Sequence, residues 1–81
     1  MLKISILIPC FNEEKTIIQV LKTIGVQEIK NITLEVIVIN DGSSDNSLSL
    51  LQENKHLYSR LVNLDENLGK GGAVIEGLKV A

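Results

Sequence analysis

The sequence predicts an α/β domain in three layers: a parallel sheet with helices on both faces. Three observations carry this expectation. Runs rich in Ile, Val and Leu occur at 3–9, 34–40 and 59–64. Each is followed by helix-start chemistry and then by apolar residues at helical spacing. The connections between them are short, which suits parallel strands joined by right-handed crossovers.

The elements follow in chain order. Residues 3–9 alternate poorly and are rich in Ile, so they are expected to form a strand buried on both faces, ended by Pro9. Asn12 is a good N-cap, and Glu13 and Glu14 suit the positive end of a helix dipole. Ile17, Leu21 and Ile24 fall on one helical stripe, widened by Ile18 and Val20, and Gly25 is the expected C-cap. A polar connection covers 26–33, and the second strand covers 34–40. The second helix starts near Ser44, turns Leu48 and Leu51 to the sheet and closes at Asn54-Lys55-His56. The third strand covers 59–64. The third helix starts within 69–72 and packs through Ala73, Val74, Gly77, Leu78 and Ala81.

Composition limits the function classes. A chain of 81 residues is one small domain or a piece of a longer protein. Hydrophobic residues at 44% and charged residues at 22% fit a folded chain rather than a disordered one. The aromatics are Phe11 and Tyr58, so the core must be aliphatic. So short a chain leaves a parallel sheet with an open flank, and self-association of the fragment is expected. A net charge of −2 with scattered lysines gives no basic face for nucleic acid. The single Cys10 excludes an intramolecular disulfide and a cysteine-based zinc cluster. No apolar run reaches the length of a membrane helix. The start could mimic a signal peptide, but Asn12-Glu13-Glu14 follows at once and no cleavage site is visible. A cytoplasmic location is expected, with membrane association left open for a longer form.

The chemistry gathers at the strand ends. In an open parallel sheet, ligands bind just outside the carboxyl ends of strands. Asp41 stands there, at Asn40-Asp41-Gly42. It is either a turn former or a carboxylate that accepts hydrogen bonds from a base imide or a sugar hydroxyl. Asp45 is read as structural, a cap or first-turn acid of the second helix. Adjacent acids point to different faces, so only one of Glu13 and Glu14 can face the strand ends, and Glu13 is preferred. Phe11 either packs or offers a flat surface to a base. Gly69-Lys70-Gly71-Gly72 is either a flexible turn or a helix start that accepts phosphate, with Lys70 as a mobile charge.

Two common nucleotide signatures are absent. The P-loop lacks its first glycine and a Ser or Thr after the lysine. The turn after the first strand, Cys10-Phe11-Asn12-Glu13, has no glycine for a dinucleotide fingerprint. His56 is read as a solvated residue near a helix end, and Cys10 as small buried packing. No nucleophile–base pair can be assembled.

Taken together, 6–14, 36–45 and 67–73 resemble the family-2 glycosyltransferases in order and spacing. Among these, the chain is similar to the dolichol- or polyprenol-phosphate sugar transferases. The resemblance spans nearly the whole chain. It implies a Rossmann-like arrangement, the N-terminal half of a GT-A glycosyltransferase domain, with 1–81 as its nucleotide-sugar-binding part. By matching position it implies that Pro9, Phe11 and Glu13 line the base and ribose pocket and that Asp41 holds the base. It puts Gly69 and Lys70 near the diphosphate. Family members often have Tyr where this chain has Phe11, and Asp-Asp where it has Asn40-Asp41.

The resemblance further implies transfer of a sugar, with inversion, from a nucleotide-diphosphate donor to an acceptor such as a lipid phosphate. Mg or Mn is expected only in the full-length enzyme. The family's Asp-x-Asp follows the next strand, past Ala81, so these 81 residues are not expected to turn over substrate unaided. Three rivals remain. One is a non-catalytic binding or assembly module on the same half-fold. A second is a sugar nucleotidyltransferase, which would need a basic glycine-rich loop after the first strand. The third is a receiver-like domain, which has no use for the 69–72 turn.

Overall fold

The computed structural model describes residues 2–25 and 30–81. The elements are β1 (Leu2–Cys10), α1 (Ile17–Gly25), β2 (Ile32–Asp41), α2 (Ser47–Glu53), a 3-10 turn (Lys55–Leu57), β3 (Arg60–Leu64) and α3 (Gly69–Leu78). The three strands form one parallel sheet in the order β1-β2-β3. The α/β class and the helix–sheet–helix layering match the expectation from sequence.

β2 is the central strand, and its pleat divides the core in two. Val36 and Val38 face α1 and α2, where Ile17, Leu21, Leu51 and Cys10 meet them. Ile37 and Ile39 face α3, with Ala73 against them and Leu7, Val62 and Leu64 at the margins. Period-two alternation explains why consecutive β-branched residues are all buried. Each such side chain contributes about 1.5–3 kcal/mol of burial. Small residues let α3 sit close: a Cβ on Gly77 would stand 2.8 Å from Ile39 Cδ1.

The structure corrects several local expectations. β1 runs through Pro9 to Cys10, because on an edge strand a missing N–H need cost no ladder bond. Nor is β1 buried on both faces; it is an edge strand, with Leu2 and Ile4 exposed. Asn12 is not a helix cap. α1 starts only at Ile17, after a turn in which Thr16 and Ile17 donate to the Glu13 carbonyl, and its first turn holds no acid. Val20 lies outside the buried stripe. Residues 26–29 of the expected polar connection lie outside the described residues, while 32 and 33 belong to β2. α2 starts three residues later than expected, because Ser43–Asp45 side chains and amides are taken by the loop after β1. On α3, Ala73 and Gly77 are buried, but Leu78 and Ala81 are exposed and Val80 packs instead. His56 is exposed in the 3-10 turn.

Candidate functional site

The parallel register brings the three strand ends to one edge: Cys10 beside Asn40, Asn40 beside Asn63, and Asp41 beside Leu64. Just above that edge is a cavity of about 270 Å³, lined by Pro9, Cys10, Phe11, Glu13, Asp41, Asn67, Gly69 and Lys70. All six residues singled out from the sequence, Pro9, Phe11, Glu13, Asp41, Gly69 and Lys70, therefore come together. They are separated by up to 61 positions in the chain and meet only because two crossovers return the backbone to the same edge.

Asp41 faces the α3 side of the sheet, as do Ile37 and Ile39, and is nearly fully buried. Its Oδ1 accepts the backbone N–H of Leu68 at 2.7 Å, and its carbonyl accepts from Asn67 Nδ2 at 3.3 Å. Asp41 thus fixes the turn that starts α3 and also lines the cavity. Gly42 follows at φ +66°, where a Cβ would come within 2.5 Å of the Asn67 and Glu66 backbones. Only glycine allows so close an approach between these two loops.

Asn40 points the other way, and its donor and acceptor are both used. Its Nδ2 donates to Asn63 Oδ1 at 2.9 Å, and its Oδ1 accepts from Ser43 Oγ at 2.6 Å. Asn40 thus ties β2 to β3 and to its own loop, and it does not line the cavity.

The opposite wall is Phe11 and Glu13, both exposed, Phe11 to 45%. Lys70, exposed, and Gly69, at φ +77° with open space around it, form the third side at the N-terminus of α3. There the Gly69 amide is taken by Asn67 Oδ1 at 2.9 Å. A helix N-terminus and a lysine make this side favourable to an anion. Carboxylates at Asp41 and Glu13 make the other side favourable to hydrogen-bond donors.

Cys10 forms the floor. Burial pushes its thiol up, more than hydrogen bonding with Ser47 and the Glu13 backbone lowers it, so it is an inert packing group. Asp45 is structural, as read from sequence, though from the position before the cap residue Asn46. Its Oδ1 accepts from Ser47 N at 2.9 Å and its Oδ2 from Glu14 N at 3.2 Å. Burial alone would raise its pKa, but the bonds from Ser47 and from the Glu14 amide outweigh burial and hold it low. Sequence reasoning missed Asn67 as a lining residue and Ser43 and Ser47 as partners of the first loop. Their small polar side chains carry no signal beyond turn chemistry.

No three of His, Cys, Asp and Glu among the described residues come together to hold a metal ion. No described helix is long and apolar enough to cross a membrane.

Comparison with known proteins bears on the family and the fold. The family profile described as Glycosyl transferase family 2 matches residues 5–81. A poly-β-1,6-N-acetyl-D-glucosamine synthase of Staphylococcus epidermidis is 39% identical over 79 residues, covering 96% of this chain and 19% of the relative. The protein of the same name from Staphylococcus aureus strain COL is 40% identical over the same length and coverage. The crystal structure of S. aureus TarS 1–349 superposes with a TM-score of 0.82 at 28% identity, covering 100% of this chain and 24% of that one. The chain thus spans about a fifth of the length of the curated relatives it matches.

Proposed function

The chain belongs to glycosyl transferase family 2 and has its GT-A-type fold, and on that premise we propose that its three strand ends form the donor-nucleotide site of a sugar transferase. Residues 1–81 act as the nucleotide-sugar-binding part of the domain. The full-length protein passes a sugar, with inversion, from a nucleotide-diphosphate donor to an acceptor. The relatives named as poly-β-1,6-N-acetyl-D-glucosamine synthases make a polysaccharide acceptor a candidate beside a lipid phosphate. The cytoplasm is the proposed compartment.

One observation carries this reading: a single cavity has donor-seeking carboxylates on two walls and an anion-favouring helix start on the third. A nucleoside diphosphate presents the matching pattern, with base N–H groups at one end and phosphates at the other. Asp41 Oδ1 is committed to Leu68, so the carboxylate is held in one orientation and its second oxygen serves the base imide. Phe11 offers a flat face to the base, and Pro9 and Glu13 complete the base and ribose side. Gly69 and Lys70 take the diphosphate. A divalent Mg or Mn ion would neutralise the leaving diphosphate in such a transfer. The described residues offer it no cluster of three His, Cys, Asp or Glu ligands.

Calorimetric titration of UDP and GDP into the full-length protein tests the reading, since both bases carry an imide-type N–H. Saturable uptake of either, with amide NMR shifts at Phe11, Asp41 and Lys70, is the expected result. No uptake of either, or shifts confined to other surfaces, would reject it.

A further inference from the structure

Three consecutive backbone amides after β1 are each taken by a side chain from the β2–α2 loop or from Ser47, the first residue of α2. Asn12 N–H donates to Ser43 Oγ at 3.0 Å, Glu13 N–H to Ser47 Oγ at 3.0 Å, and Glu14 N–H to Asp45 Oδ2 at 3.2 Å. One residue answers in the opposite direction. Asn12 Oδ1 accepts the Ser44 N–H at 2.8 Å and the Asp45 N–H at 3.3 Å. Asn12 also stands at φ +51°, a left-handed conformation. It does not line the cavity, but the residues on either side of it, Phe11 and Glu13, both do.

Two independent demands therefore fall on position 12. The backbone must be left-handed, which glycine meets best and Asn or Asp next. The side chain must also accept two backbone N–H groups from the facing loop, which glycine cannot do. Only Asn and Asp satisfy both. The bonds continue from there across the sheet: Ser43 Oγ donates to Asn40 Oδ1, and Asn40 Nδ2 donates to Asn63 Oδ1. The loop bearing Phe11 and Glu13 is thus tied through Asn12 and Ser43 to β2 and β3.

From this geometry we infer that Asn12 is a positioning residue, which holds Phe11 and Glu13 at the cavity and so sets donor affinity without touching the donor. The inference rests on the donor-site reading above.

Three forms of the full-length protein separate the possibilities: wild type, Asn12→Gly and Asn12→Asp. Asn12→Gly keeps the left-handed turn and deletes the acceptor; Asn12→Asp keeps both. The readouts are calorimetric affinity for UDP, or for GDP where that is the nucleotide the wild type takes up, and amide hydrogen exchange at Ser44 and Asp45. In Asn12→Gly, exchange at those two amides should accelerate and UDP affinity should fall, each about tenfold, the scale of one or two lost hydrogen bonds. Asn12→Asp should stay within about threefold of wild type in both, because it retains the acceptor. Unchanged exchange in Asn12→Gly overturns the latch, even where wild-type UDP binding upholds the donor reading. Accelerated exchange with unchanged UDP affinity overturns the positioning role. Accelerated exchange in a protein whose wild type takes up neither UDP nor GDP rejects the donor reading, and the positioning role with it. Should Asn12→Gly fail to fold, Ser43→Ala, which removes the reciprocal partner of the Asn12 amide, must show the same pair of losses.

Discussion

Asp41 Oδ1 accepts the backbone N–H of Leu68 at 2.7 Å, so the acid that ends β2 also fixes the start of α3. One carboxylate thereby serves the fold with one oxygen and faces the cavity with its residue's remaining polar surface. The two roles can be separated by substitution. Asp41→Asn can keep an oxygen toward Leu68 while replacing the free acceptor with a donor. It should melt close to wild type and lose UDP affinity by about tenfold or more, the scale of a hydrogen bond to a charged group. Asp41→Ala should lose that affinity and also about 1–3 kcal/mol of stability, because the Leu68 N–H is left without its acceptor. Urea unfolding and calorimetry on the same pair of variants read both effects. Equal UDP affinity in all three proteins would sink the assignment of Asp41.

Lys70 is exposed at the first turn of α3, the side of the cavity proposed for the diphosphate. Lys70→Ala should weaken UDP a few-fold, as expected of an exposed charge contact, and leave uridine affinity unchanged. The difference should shrink as salt is raised. Calorimetry with UDP and with uridine at two ionic strengths checks it.

The glycines form a graded series. Gly42→Ala puts a Cβ 2.5 Å from two backbone atoms at φ +66° and should cost several kcal/mol, on the order of 3 or more, since backbone cannot yield cheaply. Gly77→Ala meets the tips of the Ile39 and Leu7 side chains at 2.8 and 3.4 Å and should cost about 1–2 kcal/mol. Gly71, in α3 with open space around it, should gain up to about 0.5–1 kcal/mol on change to Ala through helix propensity. Denaturant midpoints at constant m-value rank the three.

Glu35 on β2 reaches Lys3 on β1 at 3.2 Å and Arg60 on β3 at 3.7 Å, and accepts from Ser5 Oγ at 3.0 Å. Hydrogen bonds from Lys3 and Ser5 lower its pKa below the ordinary carboxylate range, outweighing burial, with the Lys3 and Arg60 charges adding to the effect. A depressed native pKa stabilises the fold above the unfolded value, and that contribution is lost as pH falls through the native one. Asp45, also lowered, titrates with the same sign. Stability should therefore fall with acid below about pH 4, and Glu35→Gln should flatten that slope while lowering stability at pH 7. Thermal melts across pH 2–7 for both proteins test this. Parallel slopes would remove Glu35 from the account.

Among the described residues, β1 pairs only with β2, and its outer edge carries exposed Leu2 and Ile4. Open, apolar strand edges pair with other chains. The isolated 81-residue chain should self-associate at micromolar concentration and above. Light scattering after size exclusion checks this, and a stable monomer across that range would count against it.

Much of the site was legible because its signals are local. Strand runs, polar strand ends and the glycine-rich turn each stand within a few residues, and three in register carry the resemblance that implied Pro9, Phe11, Glu13, Asp41, Gly69 and Lys70, which line one cavity. Asn12 was misread as a helix cap because Asn followed by Glu is good cap chemistry whichever loop it caps. Its real partners, Ser44 and Asp45, lie more than thirty residues away. Leu78 was expected in the core because its helical spacing allowed it. The stripe actually used by α3 is set by where Gly77 can approach Ile39.

By itself the sequence determined the α/β class, the order of elements and the residue types at each strand end, because hydrophobic periodicity and turn chemistry act over short spans. The tertiary structure alone decided that β1 is an edge, that Asn40 faces away from the cavity while Asp41 lines it, and that Asn12 latches one loop to the next. Those outcomes depend on strand order and register, which one-residue alternation converts into opposite faces, and on hydrogen bonds between loops that meet only after the sheet has formed.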